Sequence, residues 1–318
     1  FTGAPLPAGA DGVIRQEDTE LPGEPGGGRV VIRNPRDAGK NVRRRGEDIH
    51  QGDLVLPAGT ALGPAQVGVL ASIAHALPLV HRRPRVAFLS SGDEIVDLDR
   101  TGDILAGTKI ANSNAYTLDG MIRRAGAEPL NLGIARDTRE SLREHLARAA
   151  SADLLVTTAG VSVGEHDLVR DVLRDMGGEL KLWRIAMRPG APVGFGALGR
   201  TPWLGLPGNP VSTMVTFELF VRPVIRRMLG HAHPFRRTVS VIVREAVQLG
   251  PKLRHYLRVV VQPDGARLTG PQGSGILTSM ARANALLIVP AELPDVAPGT
   301  TLEALLFDDP HHVAEPPY

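Results

Sequence analysis

The sequence contains no cysteine, no long apolar run and no large excess of charge of either sign. The absence of cysteine among 318 residues excludes a disulfide framework, a thiolate nucleophile and cysteine-based zinc or iron–sulfur sites. No apolar run reaches the roughly 20 residues that a membrane-spanning helix needs, and the first residues lack the regions of a signal peptide. Lysine and arginine number 36 against 34 acidic residues, so a nucleic-acid-binding surface is not expected. The lack of a membrane span and of a signal peptide predicts a cytoplasmic protein, whereas the lack of cysteine names no compartment.

The chain has the length and apolar content of a multidomain globular protein. With 42% hydrophobic residues over 318 positions, it can bury the cores of two or three domains. It begins with Phe1 rather than Met, on the turn-rich phrase FTGAPLPAGAD, so we expect a segment that precedes it.

Changes in composition divide the chain into four predicted regions. Residues 1–47 carry short β-type runs around a Pro- and Gly-rich loop, and residues 48–84 form a connecting strand and helix. Residues 85–231 alternate strands with helices, whereas residues 232–318 contain predicted strands and a Pro-Asp-Gly turn. We therefore expect an incomplete β-rich first domain, a connecting segment, an α/β domain and a small C-terminal β domain.

The α/β region carries the fold-class prediction. Continuous apolar strands such as RVAFLSS and DLLVTT are typical of strands buried on both faces, and amphipathic helices separate several of them. Because such alternation implies right-handed crossovers, we expect a three-layer α/β/α domain with a mostly parallel sheet.

Polar loops follow the predicted strands of this region. The first strand leads into SSGDE, the second ends before Asp137, the third leads into TTAGVSVGEHD and the last into PGNPVS. Ligands of open parallel sheets bind beyond the carboxyl ends of the strands, so these loops are expected to converge on one site. Each loop alone is more typical of a plain turn, and only the convergence favours a site.

The carboxylates of these loops are candidate ligands for Mg²⁺ that also binds a phosphate, because Mg²⁺ prefers a few carboxylates and substrate oxygens. The alternative for Asp137 and Asp167 is that each merely caps the helix that follows it. The candidate metal ligands are Asp93, Glu94, Asp137 and Asp167.

The turn PGNPVS is predicted to bind an oxyanion. It joins a strand to a long helix, and its two prolines fix the backbone while Gly208, Asn209, Val211 and Ser212 present their amides. Arg184 and Arg188 lie four residues apart and would face one side of a strand, where they could clamp a phosphate. The alternatives are a plain turn and solvent-facing arginines.

The motifs, taken in order, resemble those of one known family. FTGAPLPAGAD, GKNVRRRGEDI, SSGDEI, NLGIARD, TTAGVSVGEHD, MRPGAPVGFG, GLPGNPVS and GSGILTSMARANALLIV closely resemble the molybdopterin molybdenumtransferase (MoeA) family, which includes the gephyrin E domain. The resemblance extends from Phe1 to about Pro290, and the pairing of the RRRGED and PGNPVS motifs is highly specific.

The resemblance implies a fold, a reaction and partners. It implies an elongated homodimer that inserts molybdenum from molybdate into adenylylated molybdopterin, releasing AMP and molybdenum cofactor with the support of Mg²⁺. It also implies a C-terminal domain of β-barrel type and an upstream partner, the molybdopterin adenylyltransferase that supplies the substrate. Asp48 and Thr2 would then be delivered to the site by the second subunit.

Site residues follow from the resemblance and from the loops described above. The candidate catalytic residues are Thr2, Asp48, Glu94, Asp137, Asp167, Pro207 and Pro210. The candidate substrate-binding residues are Ser90, Gly92, Gly160, Ser162, Gly164, Arg184, Arg188, Gly208, Asn209, Ser212, Arg254 and Ser274.

The sequence departs from the family pattern at three positions. Ala159 replaces a usual glycine, and its methyl group narrows the approach of a ligand to the backbone. Arg184 and Arg188 replace usual lysines, so two ammonium point charges become planar guanidinium groups.

Two rival functions stay open: adenylyl transfer by the α/β domain, and a gephyrin-like scaffold role of the C-terminal domain. The flanking motifs around Thr2 and Asp48 argue against a free-standing adenylyltransferase.

Overall fold

A computed structural model describes residues 3–22, 28–158, 161, 168–250 and 252–307, without the side chains of residues 180–183. Contacts divide the chain into two units, Phe1–Pro57 and Ala58–Tyr318. The finer boundaries predicted after residues 47, 84 and 231 stay a prediction. Among the helices of the described ranges, none is long and apolar enough to cross a bilayer.

The first unit is held together by ion pairs around short strands. Strand β1 (Thr19–Glu20) pairs antiparallel with β2 (Val31–Ile32). Arg15 Nε lies 2.7 Å from the Asp37 carboxylate, and both Asp18 and Asp37 are buried. Since a buried carboxylate is costly unless paired, these contacts fix the loops of the unit.

The second unit contains the α/β region and the C-terminal strands. In chain order its elements are α1 (Pro64–Ser72), β3 (Arg85–Ser91), β4 (Ile95–Val96), α2 (Thr101–Leu105), β5 (Ile110–Ala111), α3 (Ser113–Ala125), β6 (Glu128–Ala135), α4 (Arg139–Ala147), β7 (Leu154–Thr158), α5 (Leu168–Asp175), β8 (Glu179–Arg184), β9 (Met187–Arg188), β10 (Pro192–Leu198), β11 (Thr201–Leu206), α6 (Pro210–Thr216), α7 (Arg222–Met228), β12 (Thr238–Ile242), β13 (Val247–Gln248), β14 (Arg254–Gln262), β15 (Gly265–Leu268), α8 (Leu277–Arg282), β16 (Ala285–Val289), β17 (Asp295–Val296) and β18 (Thr301–Leu306). A π-helical stretch, Phe217–Val221, joins α6 to α7.

The central sheet has the strand order β6-β3-β7-β11-β10-β8. Its first four strands are parallel, whereas β10 is antiparallel to both β11 and β8. Only Gly199 and Arg200 separate β10 from β11, so no crossover helix can make that pair parallel. The expected mostly parallel sheet is confirmed, with an antiparallel extension at one side.

Helices cover both faces of this sheet. Helices α3 and α7 and the π-helical stretch pack on one face through a cluster that includes Phe88, Leu118, Val156, Phe217 and Ile225. Helices α4 and α5 pack on the other face through a cluster that includes Leu89, Leu142, Leu155, Val172 and Trp203. Successive residues of β3 alternate between the two clusters, as the pleat of a strand requires. The expected three-layer arrangement is confirmed.

The C-terminal strands form a second sheet, in the order β12-β18-β16-β14-β15. A bridge between Val243 and Ala266 brings the chain just after β12 to β15, so the sheet curls back on itself. Strand β9 leaves the α/β region and pairs in parallel with β14, with Arg188 opposite His255. This backbone pairing connects the C-terminal sheet directly to the α/β region.

Candidate active site

Four parallel strands end at one edge of the central sheet. Their last residues are Ser91, Ala135, Thr158 and Leu206. The chain passes from β3 outward to β6 and then back across β3 to β7, so the topological switch point lies between β3 and β7. The polar loops of the sequence therefore begin at the edge where ligands of such sheets bind.

The loop after β3 is shaped by Gly92. Its φ is +142°, and a methyl group placed on it would lie 2.8 Å from both carboxylate oxygens of Glu94. Its amide donates to the carbonyl of Ala135, which ties the loop to the end of β6 (3.2 Å). Glycine is therefore required here because the Glu94 carboxylate folds back over the backbone.

The loops after β3 and β6 bring acidic residues together. The amide of Asp137 donates to Asp93 Oδ1 (3.3 Å). Burial raises the pKa of the Asp137 carboxyl, and the negative charges of Asp93 and Glu94 raise it further. Thr138, whose side chain accepts from the Ser141 amide (3.3 Å), caps α4, so Asp137 is not the cap.

The predicted metal ligands are Asp93, Glu94, Asp137 and Asp167. In the part of the chain that the structure describes, no group of three or more His, Cys, Asp or Glu side chains is placed to hold a metal ion. The fourth candidate ligand, Asp167, lies outside the described residues. The Lys109 ammonium donates to the backbone carbonyl of Asp93 (2.8 Å).

The turn 207–212 is fixed by hydrogen bonds from three elements. The Thr213 hydroxyl donates to the carbonyl of Pro207 (2.6 Å), and Asn114 Nδ2 donates to the carbonyl of Gly208 (2.7 Å). The amide of Val211 donates to the carbonyl of Ser274 (3.0 Å), so it is not free for a ligand as the sequence predicted.

Two amides of the turn stay available. Those of Gly208, Asn209 and Ser212 have no acceptor among the described residues, but Ser212 is buried and does not line the cavity, so only the first two are accessible to a ligand there. They stand at the start of a helical segment that runs over residues 210–228, where the unpaired amides and the helix dipole favour an anion.

A cavity of about 410 Å³ joins the turn to the acidic loop. It lies at the carboxyl edge of the sheet, and among the acidic candidates of the described ranges Glu94 lines it, whereas Asp93 and Asp137 do not. The lining residues are Glu94, Ile95, Ile110, Ala111, Asn112, Ser113, Asn114, Val161, Pro192, Pro207, Gly208, Asn209 and Pro210.

Sequence reasoning missed the polar wall of the cavity at the start of α3. Asn112 caps this helix by accepting from the Ala115 amide, and its Oδ1 also accepts from the buried Ser90 hydroxyl (3.0 Å). Ser90, only 1% exposed, therefore supports Asn112 and does not line the cavity. The available signal was the phrase ANSN before an apolar helix, since asparagine and serine at a helix start are typical caps.

The predicted arginine pair does not lie on one strand. Arg184 ends β8 in the central sheet, whereas Arg188 belongs to β9 and pairs with the C-terminal sheet. The chain turns between them, and the amide of Ile185 donates to the carbonyl of Ala191 (2.9 Å). Arg254 begins β14 opposite Met187, so Arg188 and Arg254 are neighbours across that pairing, and both are exposed. None of these arginines lines the cavity.

The remaining candidates are dispersed. Asp48 is exposed and belongs to the first unit. The Ser274 hydroxyl accepts from Asn209 Nδ2 (3.0 Å), so it contacts the turn itself. The residues Thr2, Gly160, Ser162, Gly164 and Asp167 lie outside the described residues.

Three family models match the chain in sequence. Residues 1–74 match the MoeA N-terminal region (domain I and II), residues 87–227 match a probable molybdopterin binding domain, and residues 240–307 match the MoeA C-terminal region (domain IV). The second match spans the strands whose carboxyl ends surround the cavity.

Curated proteins and solved structures agree with these matches. The chain is 36% identical over 301 residues to a molybdopterin molybdenumtransferase of Nostoc sp., covering 91% of this chain and 67% of the relative. It is 36% identical over 314 residues to molybdopterin molybdenumtransferase 1 of Mycobacterium tuberculosis, covering 95% and 72%. A crystal structure of a molybdopterin biosynthesis MoeA protein from Pyrococcus horikoshii superimposes with a TM-score of 0.77 at 31% identity, covering 96% and 74%. On this evidence the chain belongs to the molybdopterin molybdenumtransferase (MoeA) family.

Proposed function

We propose that the protein inserts molybdenum from molybdate into adenylylated molybdopterin and releases AMP. The observation that supports this most is the cavity that has Glu94 on one wall and the turn 207–210 on another. Adenylylated molybdopterin carries a phosphoanhydride and a heterocycle, and molybdate is a tetrahedral oxyanion. Binding both needs such a combination of amide donors, carboxylates and carboxamides. Membership of the family favours this substrate over other phosphate compounds.

The turn 207–212 would hold the oxyanion. The amides of Gly208 and Asn209, two residues that line the cavity, can donate to molybdate oxygens or to a phosphate, because the prolines on either side of them restrict the backbone. The reaction exchanges ligands of molybdenum and cleaves a phosphoanhydride bond, so no covalent protein nucleophile is required.

The acidic loops would hold Mg²⁺. The Asp137 amide donates to the Asp93 carboxylate, and the charges of Asp93 and Glu94 raise the pKa of Asp137. The loops therefore gather negative charge that a cation would neutralise. Two carboxylates suffice, since Mg²⁺ usually completes its octahedron with water and substrate oxygens. When bound, Mg²⁺ would withdraw charge from the phosphoanhydride as AMP leaves.

We further propose that the enzyme is a cytoplasmic homodimer supplied by a molybdopterin adenylyltransferase. In this proposal Asp48 of one subunit and Glu94 of the other act on the same substrate molecule. The family resemblance of the RRRGED motif supports this assignment for Asp48.

The test is the dependence of AMP release on molybdate. Purified protein is mixed with adenylylated molybdopterin and Mg²⁺, with molybdate, with sulfate as a tetrahedral dianion of equal charge, or with neither. We expect AMP release with molybdate and not with sulfate, and loss of release in Glu94→Gln. Release without any oxyanion would indicate simple hydrolysis, and formation of adenylylated molybdopterin from ATP would indicate the adenylyltransferase alternative; either result contradicts the proposal.

A further inference from the structure

Arg258, in the middle of β14, is a buried cation without an acidic partner. Its side chain has no measurable exposure, and no carboxylate within the described ranges pairs with it. Burial lowers the pKa of Arg258 to about 10, so the guanidinium remains charged at neutral pH. Burying an unpaired charge is costly, and a buried arginine therefore needs polar acceptors that the fold places for it.

The acceptors of Arg258 come almost entirely from one loop, residues 270–275. Its Nη2 donates to the carbonyls of Pro271 (3.2 Å) and Gly273 (2.9 Å), and its Nε donates to the Ser279 hydroxyl (3.0 Å) just beyond the loop. Its Nη1 is buried and has no hydrogen-bond partner among the described residues, so these bonds are the ones that hold the guanidinium. The backbone of Arg258 adds two bonds, since its amide donates to Gln272 Oε1 (2.8 Å) and its carbonyl accepts from Gln272 Nε2 (3.1 Å). One residue thus fixes the loop by both its side chain and its backbone.

The same loop contacts the turn at the cavity. The Ser274 carbonyl accepts from the Val211 amide (3.0 Å), and the Ser274 hydroxyl accepts from Asn209 Nδ2 (3.0 Å). Asn209 lines the cavity, and Val211 is the second residue of α6. Ser274 is therefore attached on one side to atoms fixed by Arg258 and on the other to the residues that would hold the oxyanion.

We infer that Arg258 is a positioning residue that holds the turn 207–212 in place through the loop 270–275. It acts from the C-terminal sheet, and within the described ranges none of its side-chain hydrogen bonds goes to a residue that lines the cavity. Because the Ser274 carbonyl of this loop accepts the hydrogen bond of the Val211 amide, the loop also determines which amides of the turn stay unpaired and able to bind a ligand. Arg258 fixes the geometry of this turn whatever the reaction is, and its effect on catalysis rests on the proposed function.

Amide hydrogen exchange tests the geometry without any assay of activity. We expect Arg258→Met, which keeps much of the volume but removes the donors, to speed exchange of the Val211 amide about tenfold or more, while amides of β3 keep their wild-type rates. Arg258→Lys keeps the charge but not the fork, so an intermediate rate is expected. Arg267→Met is the matched control, because Arg267 lies on the neighbouring β15 and pairs with the exposed Asp264. A uniform rise across the protein, or no rise at Val211, would overturn the inference.

Kinetics test the functional consequence. Misplacement of a binding group by about 1 Å can cost roughly 100-fold, so we expect Arg258→Met to lower kcat/KM for molybdate by about 10- to 100-fold, with partial rescue in Arg258→Lys. Ser274→Gly removes only the hydroxyl, so a smaller loss is expected that does not add to that of Arg258→Met. Full additivity, or equal losses in Arg258→Lys and Arg258→Met, would contradict the pathway through Ser274. If the wild-type protein releases no AMP with molybdate, the proposed function fails, while the exchange experiment still decides the role of Arg258.

Discussion

At the scale of single residues, the loops after β3 and β6 bring the carboxylates of Asp93, Glu94 and Asp137 close enough to repel one another. The Asp137 amide donates to Asp93 Oδ1, and the pKa of Asp137 is raised by burial and then by the charges of Asp93 and Glu94. An arrangement that perturbs the pKa of a carboxyl group at a sheet edge where ligands bind is typical of a functional site. The charge repulsion here would be relieved by a bound cation.

Asp137→Asn is expected to raise the melting temperature at neutral pH and to lower activity. Because the pKa of Asp137 is raised in the folded state above its ordinary value of 3.8, the ionised carboxylate opposes folding. This cost appears as pH rises through that value and through the folded-state pKa, and it is absent at lower pH. Melting curves of both proteins from pH 3 to pH 8, with a chelator present, measure it. A gain that is independent of pH would contradict the account.

Gly92→Ala is expected to reduce AMP release by at least about tenfold, because a methyl group at this position collides with the Glu94 carboxylate and the φ of +142° disfavours alanine. Gly102→Ala is the matched control, since nothing lies within 4 Å of a methyl group there. Molybdate-dependent AMP release of the two variants is compared under the same conditions. Equal activities would show that the position of Glu94 does not matter.

At this scale the sequence predicted some side chains of the site and not others. Glu94 and the turn residues were predictable because strand ends of a parallel sheet share one edge. Asn112 and Asn114 were not, because they reach the cavity from the start of a helix, through a loop of about 20 residues after β3 whose path the sequence does not reveal. Capping chemistry at ANSN marks the helix start and carries no information about which strand end it faces.

At the scale of elements, the indole of Trp203 determines how β10 and β11 pack. A methyl group on Gly205 would lie 2.5 Å from Val161 Cγ1 and 2.6 Å from the indole, and Gly194, opposite it in β10, is equally close to the ring. The indole nitrogen donates to the Thr157 hydroxyl (3.1 Å), so the ring cannot move away without losing that bond.

Gly205→Ala is therefore expected to destabilise the protein by about 1–3 kcal/mol, the usual cost of overpacking. Gly120→Ala, on an open face of α3, is the matched control and is expected to stabilise by up to about 1 kcal/mol. Urea unfolding of both variants measures the difference. A neutral Gly205→Ala would mean that the indole has an alternative position.

The alternating strands and helices were predictable from the sequence, whereas the pairing partners of the strands outside the parallel core were not. The parallel core followed from strands separated by helices, and α3, α4 and the long helical segment 210–228 were expected from their apolar periodicity. The antiparallel β8 and β10 depend on short turns, and the separation of Arg184 from Arg188 depends on β9 pairing with β14 about 65 residues later. Such long-range pairings leave no local signal in the sequence.

At the scale of the whole molecule, the proposed homodimer predicts complementation between inactive variants. Asp48→Ala and Glu94→Ala are each expected to be inactive. After subunit exchange in an equal mixture, half of the dimers are mixed and each has one intact site, so activity of about a quarter of wild type is expected. Native mass spectrometry verifies the exchange. A mixture that stays inactive although mixed dimers form would mean that both residues act within one subunit.

The central claim is that AMP release and molybdenum insertion are one coupled reaction in the cavity between Glu94 and the turn 207–210. The most direct test quantifies both products in the same reaction: AMP by chromatography and pterin-bound molybdenum by mass spectrometry of the metal. The account predicts one molybdenum inserted for each AMP released, and loss of both in Glu94→Gln. AMP release without pterin-bound molybdenum, or insertion that leaves the adenylyl group in place, would contradict it.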